Sequence, residues 1–309
     1  MSRLTHSSAG FFRSLQMSSA GLFAFVEGGL DRPFVDRLLV RECAGRAVKH
    51  QVIAVKEIPG SAGGKATLLA LFRQYRAEGK LSLNSFGKKM ICLFFADKDS
   101  DDFSRRKLRS PHLIYTPTYD LESHLFSCGD LQRALADACG LSMHQAKALI
   151  PDQGAWLRDI ASKWKAWTAL CMISHSRDVN CGCTYNRRSA MNSDPLGCHD
   201  DGELEAFKTK LAASIDLSRT EFDSLFDRVE RHLDNHLRSG NPMRYFKGKW
   251  LIHVLQSYLE RSPRPADALI NSAGEKVTAA LVAQVGAGSG CRCCAPFAIG
   301  VHQFVAELA

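Results

Sequence analysis

Three short acidic motifs, set well apart in the chain, carry the residue types that handle phosphate chemistry. In VEGGLD, Glu27 closes an apolar run, Gly28 and Gly29 follow, and Asp31 comes four residues after the glutamate. In ADKDSDD, Asp97 and Asp99 end the apolar run MICLFFA, and Asp101 and Asp102 extend the acidic stretch. In YDLES, Asp120 and Glu122 stand two residues apart. Hard divalent cations take oxygen ligands, and Mg²⁺ is usually held by one or two carboxylates together with water and substrate phosphates. The pattern points to Mg²⁺ or Mn²⁺ on Glu27, Asp97 and Asp99, as one ion or two. A pair of ions would clamp the attacking and leaving oxygens of a phosphodiester.

Each acid has a competing reading. Glu27 can ligate a metal or act as a general base, and a carboxylate at a strand end can also be purely structural. Asp31 falls where the next helix would begin, so an N-cap competes with a ligand. Alternate residues of an extended chain point the same way, which would aim Asp97 and Asp99 at one cation. That cation would relieve the repulsion between them; an acidic loop capping a helix is the alternative. Asp120 and Glu122 would share a face in extended chain and border the same edge as a second metal position, with a helix cap at Asp120 as the other reading.

Basic residues accompany the acids. Arg105, Arg106, Lys107 and Arg109 follow the second motif and would suit a phosphate backbone beside a metal, or else form a solvated helix start. Gly60-Ser61-Ala62-Gly63-Gly64-Lys65 is not a P-loop, because Pro59 holds the first glycine's place and Ala66 follows the lysine. It reads as a glycine-rich helix entry at which Lys65 could touch phosphate. Lys249, after Gly248, could reach over the site from the helical part and stabilise developing negative charge; a solvated lysine is the alternative.

The elements that must position these groups follow from the hydrophobic pattern. Residues 22–26, 51–55, 90–96 and 112–116 read as short buried strands, with helices over 33–41 and 66–77 between them. Such alternation implies parallel pairing with right-handed crossovers, and strands that stop on acids present oxygen ligands at the carboxyl edge of the sheet. Beyond residue 130 the pattern turns helical, over 131–139, 156–174, 203–215, 219–238 and 250–260. An irregular polar loop interrupts it at 176–201.

The chain has 309 residues, 45% of them hydrophobic and 23% charged, enough to bury a core in one or two domains. No apolar run approaches the roughly 20 residues that span a bilayer, so no membrane partner is expected. The Ser-rich N-terminus carries Arg3 and Arg13 without acids, as a transit peptide would, although a frayed or partly helical terminus is the commoner case. No secretory signal is visible, and a cytoplasmic protein is expected. The net charge of +8 is compatible with a polyanionic partner. Eleven cysteines, an odd number with Cys43, Cys92 and Cys171 in apolar runs, suggest free thiols in a reducing compartment. Cys181-Gly182-Cys183, Cys198-His199 and Cys291-Arg292-Cys293-Cys294 depart from the usual C-x₂-C spacing, so structural Zn²⁺ is disfavoured.

The ordered motifs VEGGLD, DKD and YDLESHL resemble those of Toprim domains, the metal-binding fold of topoisomerases, primases and OLD-family nucleases. They are most similar to Toprim-like proteins of this size, a group that a phage-defence nuclease effector also resembles. The likeness covers residues 22–128, with a weaker echo in GKWLIHVL at 248–255. It implies an α/β fold with a Toprim-like, mostly parallel sheet flanked by helices and a mainly helical C-terminal region. The implied organisation is an extension at 1–20, a Toprim-like catalytic domain at 21–130 and a helical region at 131–309. It further implies Glu27 as metal ligand or base, Asp97 and Asp99 as metal-binding aspartates, and Asp31 as the second acid of the OLD-type motif. Asp120 and Glu122 fall on the late acidic motif. No segment supplies a nucleophilic tyrosine, which favours hydrolysis over transesterification. The expectation is a Mg²⁺- or Mn²⁺-dependent nuclease acting on DNA or RNA in phage defence, with Arg105, Arg106, Lys107 and Lys65 on the nucleic acid. The rival is a Toprim-shell regulatory subunit of an ATPase partner protein, and a homodimer is left open.

Overall fold

The computed structural model describes residues 8–186, 192, 194–261, 273–285 and 294–309. In chain order the elements begin with α1 (Ser8–Met17), β1 (Leu22–Val26), α2 (Asp31–Glu42), β2 (His50–Ala54), α3 (Gly64–Ala77), β3 (Ser82–Ser85), β4 (Lys88–Ala96) and β5 (Leu113–Tyr115). Among the described residues ten helices follow: α4 (Leu121–Cys128), α5 (Leu131–Cys139), α6 (Met143–Leu149), α7 (Gln153–Lys163), α8 (Lys165–Arg177), α9 (Asp201–Ser214), α10 (Arg219–Arg238), α11 (Gly248–Arg261), α12 (Ala273–Val285) and α13 (Ala295–Leu308). The protein is α/β, with a mostly parallel sheet flanked by helices and a mainly helical C-terminal region.

Packing divides the chain into two compact units that do not follow chain order. One comprises Met1–Asp97, Leu108–Thr116 and Val282–Ala309; the other comprises Lys98–Lys107 and Pro117–Leu281. These boundaries differ from a division at residue 130. The reason is local to the first unit: α13, at the far end of the sequence, packs on the sheet. Its Phe297 ring lies 5.1 Å from Phe34 of α2, and a Cβ on Gly300 would sit 3.0 Å from Ile114 of β5.

In the first unit the strands run β2-β1-β4-β3, with β5 also paired to β4. β1 pairs parallel with β2 and β4, and β5 parallel with β4. β3 pairs antiparallel with β4 through a hairpin turn at Phe86 and Gly87, which have φ of 51° and 74°. The sequence reading lacked β3, whose four residues include a single apolar one, Leu83. Every residue of β1 is buried, because both faces of the sheet are covered. Phe23 and Phe25 of β1 join Cys92 and Phe94 of β4, Phe72 and Tyr75 of α3, and Phe12 and Leu15 of α1 in one core. Phe25 stacks on Phe94 at 4.9 Å. The alternate side chains meet the face on which α2 and α13 lie, where Leu38, Leu39, Val301 and Val305 are buried.

The second unit is built on α8, which is buried from Ala166 to Ser174. A helix apolar all round sits in the middle of its neighbours. The span 156–174 forms two helices rather than one. The break falls at Trp164, whose indole donates to Pro195 O at 3.0 Å and whose ring packs 5.3 Å from Trp250. No Gly or Pro marks that break, and the Trp164 side chain there is buried. Among the described residues no helix is long and apolar enough to cross a membrane.

Candidate functional site

In the first unit two of the acidic motifs meet. β1 and β4 are parallel neighbours in register Val26↔Phe95, so both strands deliver their acids at the same edge. Asp97 N–H donates to Glu27 Oε1 at 2.8 Å. The place is a topological switch point: from β1 the chain leaves toward β2 on one side, whereas β4 and β5 lie on the other. Crevices at the carboxyl ends of such strands are where open α/β sheets bind ligands.

The turn after Glu27 is organised by Asp31, whose Oδ2 accepts from Gly28 N–H at 2.7 Å. Asp31 is the first residue of α2 and not its N-cap; that position is Leu30, which makes no side-chain cap bond. Its carboxylate thus closes the GGL turn and also complements the positive helix end. The glycine-rich loop comes close as well, with Gly64 N–H to Glu27 O at 3.4 Å. Lys65, in the first turn of α3, has its ammonium 5.9 Å from the centre of the Tyr115 ring. Sequence reasoning missed Lys56. It follows β2, and a Cβ built on Gly29 would lie 3.5 Å from its Nζ. The signal was available: Lys56 directly follows the apolar run that ends at Val55, as Glu27 directly follows the run that ends at Val26.

The second unit holds the remaining candidates. The alternation expected for Asp97 and Asp99 presumes extended chain, but the chain turns at Asp99, which has φ 51°. Asp99 N–H donates to Tyr119 O at 2.6 Å, joining the second acidic motif to the third. Asp99, Tyr119, His175, Asp178, Asn180 and Lys247 border a cavity of about 650 Å³. Asp102 pairs with Arg244, and Asp101 lies 3.7 Å from His175. Residues 100–105 form turns, so Arg105, Arg106 and Lys107 do not open a helix. Arg106 lies 4.0 Å from Asp178 in an exposed pair of little energetic weight.

Asp120 precedes α4 in extended backbone, while Glu122 is already in the first turn of the helix, so the two do not share one extended run. Asp120 is the N-cap, accepting from Ser123 N–H at 2.8 Å and Ser123 O–H at 2.6 Å. Gly248 N–H donates to both its oxygens at 3.0 Å. Burial and then the neighbouring Glu122 push its carboxyl upward, against the lowering effect of those hydrogen bonds. Lys249 Nζ lies 3.9 Å from Glu122 Oε1, so the GKW segment and the YDLES segment do come together.

Lys98, between the two aspartates, is 1% exposed. Its Nζ donates to Pro117 O at 3.1 Å and lies 5.4 Å from the centre of the Tyr245 ring. Burial foremost, and then Arg244, bring its pKa down to about 7, against the pull of Asp102 and Asp99. The folded value is below the unfolded one near 10.4, so between them the unfolded chain binds more protons and stability rises with pH. Below pH 7 both states are protonated and the dependence ends. Relative to wild type, Lys98→Met is expected to lose a rise of a few kcal/mol between about pH 7 and 10. Denaturant unfolding across that range checks it, and parallel curves for the two proteins would contradict it.

The nine described cysteines are free thiols. Burial above all pushes the thiols of Cys171 and Cys183 upward, and such thiols are poor sources of metal-binding thiolate. Cys291 and Cys293 lie outside the described residues. Among the described residues no group of three or more His, Cys, Asp or Glu is placed to hold a metal ion. Glu27 and Asp97 do come together at the switch point, through the Asp97 N–H, and Mg²⁺ commonly takes only one or two carboxylates, with water and phosphate as its other ligands.

No protein-family model matches the chain, and no curated protein matches it.

Proposed function

We propose that the protein is a divalent-metal-dependent nuclease that hydrolyses phosphodiester bonds in DNA or RNA. The observation that carries this reading is the 2.8 Å hydrogen bond from Asp97 N–H to Glu27 Oε1, which joins two acidic motifs 70 residues apart at the carboxyl edge of neighbouring parallel strands. Glu27 and Asp97 would hold Mg²⁺ or Mn²⁺; Asp99 is added on its sequence position alone. When bound, the ion would polarise the scissile phosphate and offset the charge that develops on its oxygens. Glu27 orients the attacking water or takes its proton, and the Asp97 N–H fixes the direction of that carboxylate. Lys65 supplies positive charge to the nucleic-acid backbone; Arg105, Arg106 and Lys107 for the backbone, and Lys249 for developing negative charge, are added on their sequence positions alone. A role as effector in phage defence belongs to the same proposal and rests on the resemblance of the three motifs.

The test is incubation of the purified protein with end-labelled DNA and RNA in Mg²⁺ and in Mn²⁺, with and without EDTA. Cleavage should stop with EDTA and return with excess metal. Cleavage indifferent to EDTA, or none on either nucleic acid with either ion, overturns the reading.

A further inference from the structure

The glycine-rich loop that fails as a P-loop has a different consequence. Lys56 lies in the short helical turn Val55–Glu57 that ends β2. β2 is the parallel neighbour of β1 in register Val26↔Ala54, so Lys56 comes off the sheet level with the turn after Glu27. Two glycines from different loops flank its side chain. A Cβ on Gly63 would lie 3.1 Å from Lys56 Cβ, and one on Gly29 would lie 3.5 Å from Lys56 Nζ. The first would force the lysine stem aside, and Gly63 has φ +81°, which L side chains rarely adopt. The glycines thus leave a slot that carries the ammonium to the Gly28-Gly29 turn, beside Glu27 and Asp31.

The charge there is open to solvent. Lys56 is exposed, and its neighbour Glu57 is engaged by Arg32 Nη1 at 2.6 Å. Among the described residues Lys56 has no ion-pair partner. A cation left in that state at the carboxyl edge of a switch point has the chemistry to receive a phosphate oxygen.

We infer that Lys56 is a substrate-contacting residue, donating from Nζ to a non-bridging oxygen of the nucleic-acid phosphate that enters beside Glu27. This rests on the nuclease reading for its substrate, but its test does not require cleavage. The probe is a single-stranded oligonucleotide, bound in Ca²⁺ in place of Mg²⁺, with affinity measured against salt concentration. One phosphate contact contributes about 0.7 to the slope of log affinity on log salt for single strands. Lys56→Gln is expected to lower the slope by about that amount and weaken binding roughly tenfold at low salt. Lys56→Arg, which keeps the charge, should retain the slope, and both variants should melt as wild type does because the side chain is exposed. A Lys56→Gln protein with wild-type affinity and slope overturns the assignment, as does loss of the slope in Lys56→Arg to the same degree as in Lys56→Gln. Weaker binding by Lys56→Gln in a protein that cuts no nucleic acid supports the phosphate contact and overturns the nuclease reading. Normal binding by Lys56→Gln together with metal-dependent cutting does the reverse.

Discussion

Glu27→Gln is expected to lower metal-dependent cleavage about 10³-fold and to leave the fold intact. Glutamine keeps a carbonyl oxygen where Glu27 Oε1 accepts from Asp97 N–H, so the contact between the ends of β1 and β4 survives. What disappears is the negative charge, and with it both the attraction for a divalent ion and the capacity to accept a proton from water. Glu27→Ala is a poorer probe, because it strands the Asp97 N–H at a cost of about 1–3 kcal/mol and confuses lost chemistry with lost structure. Single-turnover cleavage of labelled nucleic acid, run beside thermal unfolding, separates the two. A folded Glu27→Gln protein that cuts at the wild-type rate ends the proposed mechanism. A protein that cuts slowly and also melts early would place Glu27 in the fold and not in the chemistry.

The second large effect concerns Gly248. At this position the start of α11 lies against the start of α4 inside the second unit. A Cβ on Gly248 would overlap Ser123 N and would stand 2.5 Å from Glu122 C and 2.6 Å from Asp120 Oδ1. Two of those atoms belong to backbone and cannot swing aside. The same close approach lets Gly248 N–H donate to both oxygens of the buried Asp120. Gly248→Ala would therefore cost overpacking, about 1–3 kcal/mol, and weaken a hydrogen bond to a charged group worth about 1.5–3 kcal/mol. A loss of roughly 3 kcal/mol or more is expected, seen as a lower midpoint in denaturant and faster amide exchange in α4. A Gly248→Ala protein as stable as wild type would show that the two helix starts do not approach so closely. Gly248 was noticed in the sequence only as the residue before Lys249; that a glycine is required there follows from the packing.

These two cases show where legibility ended. Continuous apolar runs closed by acids were enough to place β1 at Leu22–Val26 and to put Glu27 and Asp97 at strand ends, because a strand buried on both faces has one simple composition. The caps and periodicity of α10 at Arg219–Arg238 were equally local: Ser218 and Glu221 close a capping box, and Phe222, Phe226, Val229 and Leu233 keep one apolar stripe. The hairpin strand β3 was not legible, since antiparallel pairing with β4 supplies what its own side chains lack. Nor was the break at Trp164.

The sequence by itself determined the α/β class, the positions of the acids at the ends of buried strands, and the helical character of the later region. Each of these depends on neighbours a few residues away. The tertiary structure alone decided that Asp97 meets Glu27, that Gly248 N–H joins the cap at Asp120, and that Lys56 lies beside Gly29. Those outcomes depend on which strand pairs with which and on how closely two loops approach, and residues 27 to 128 positions apart in the chain carry no local pattern that records it.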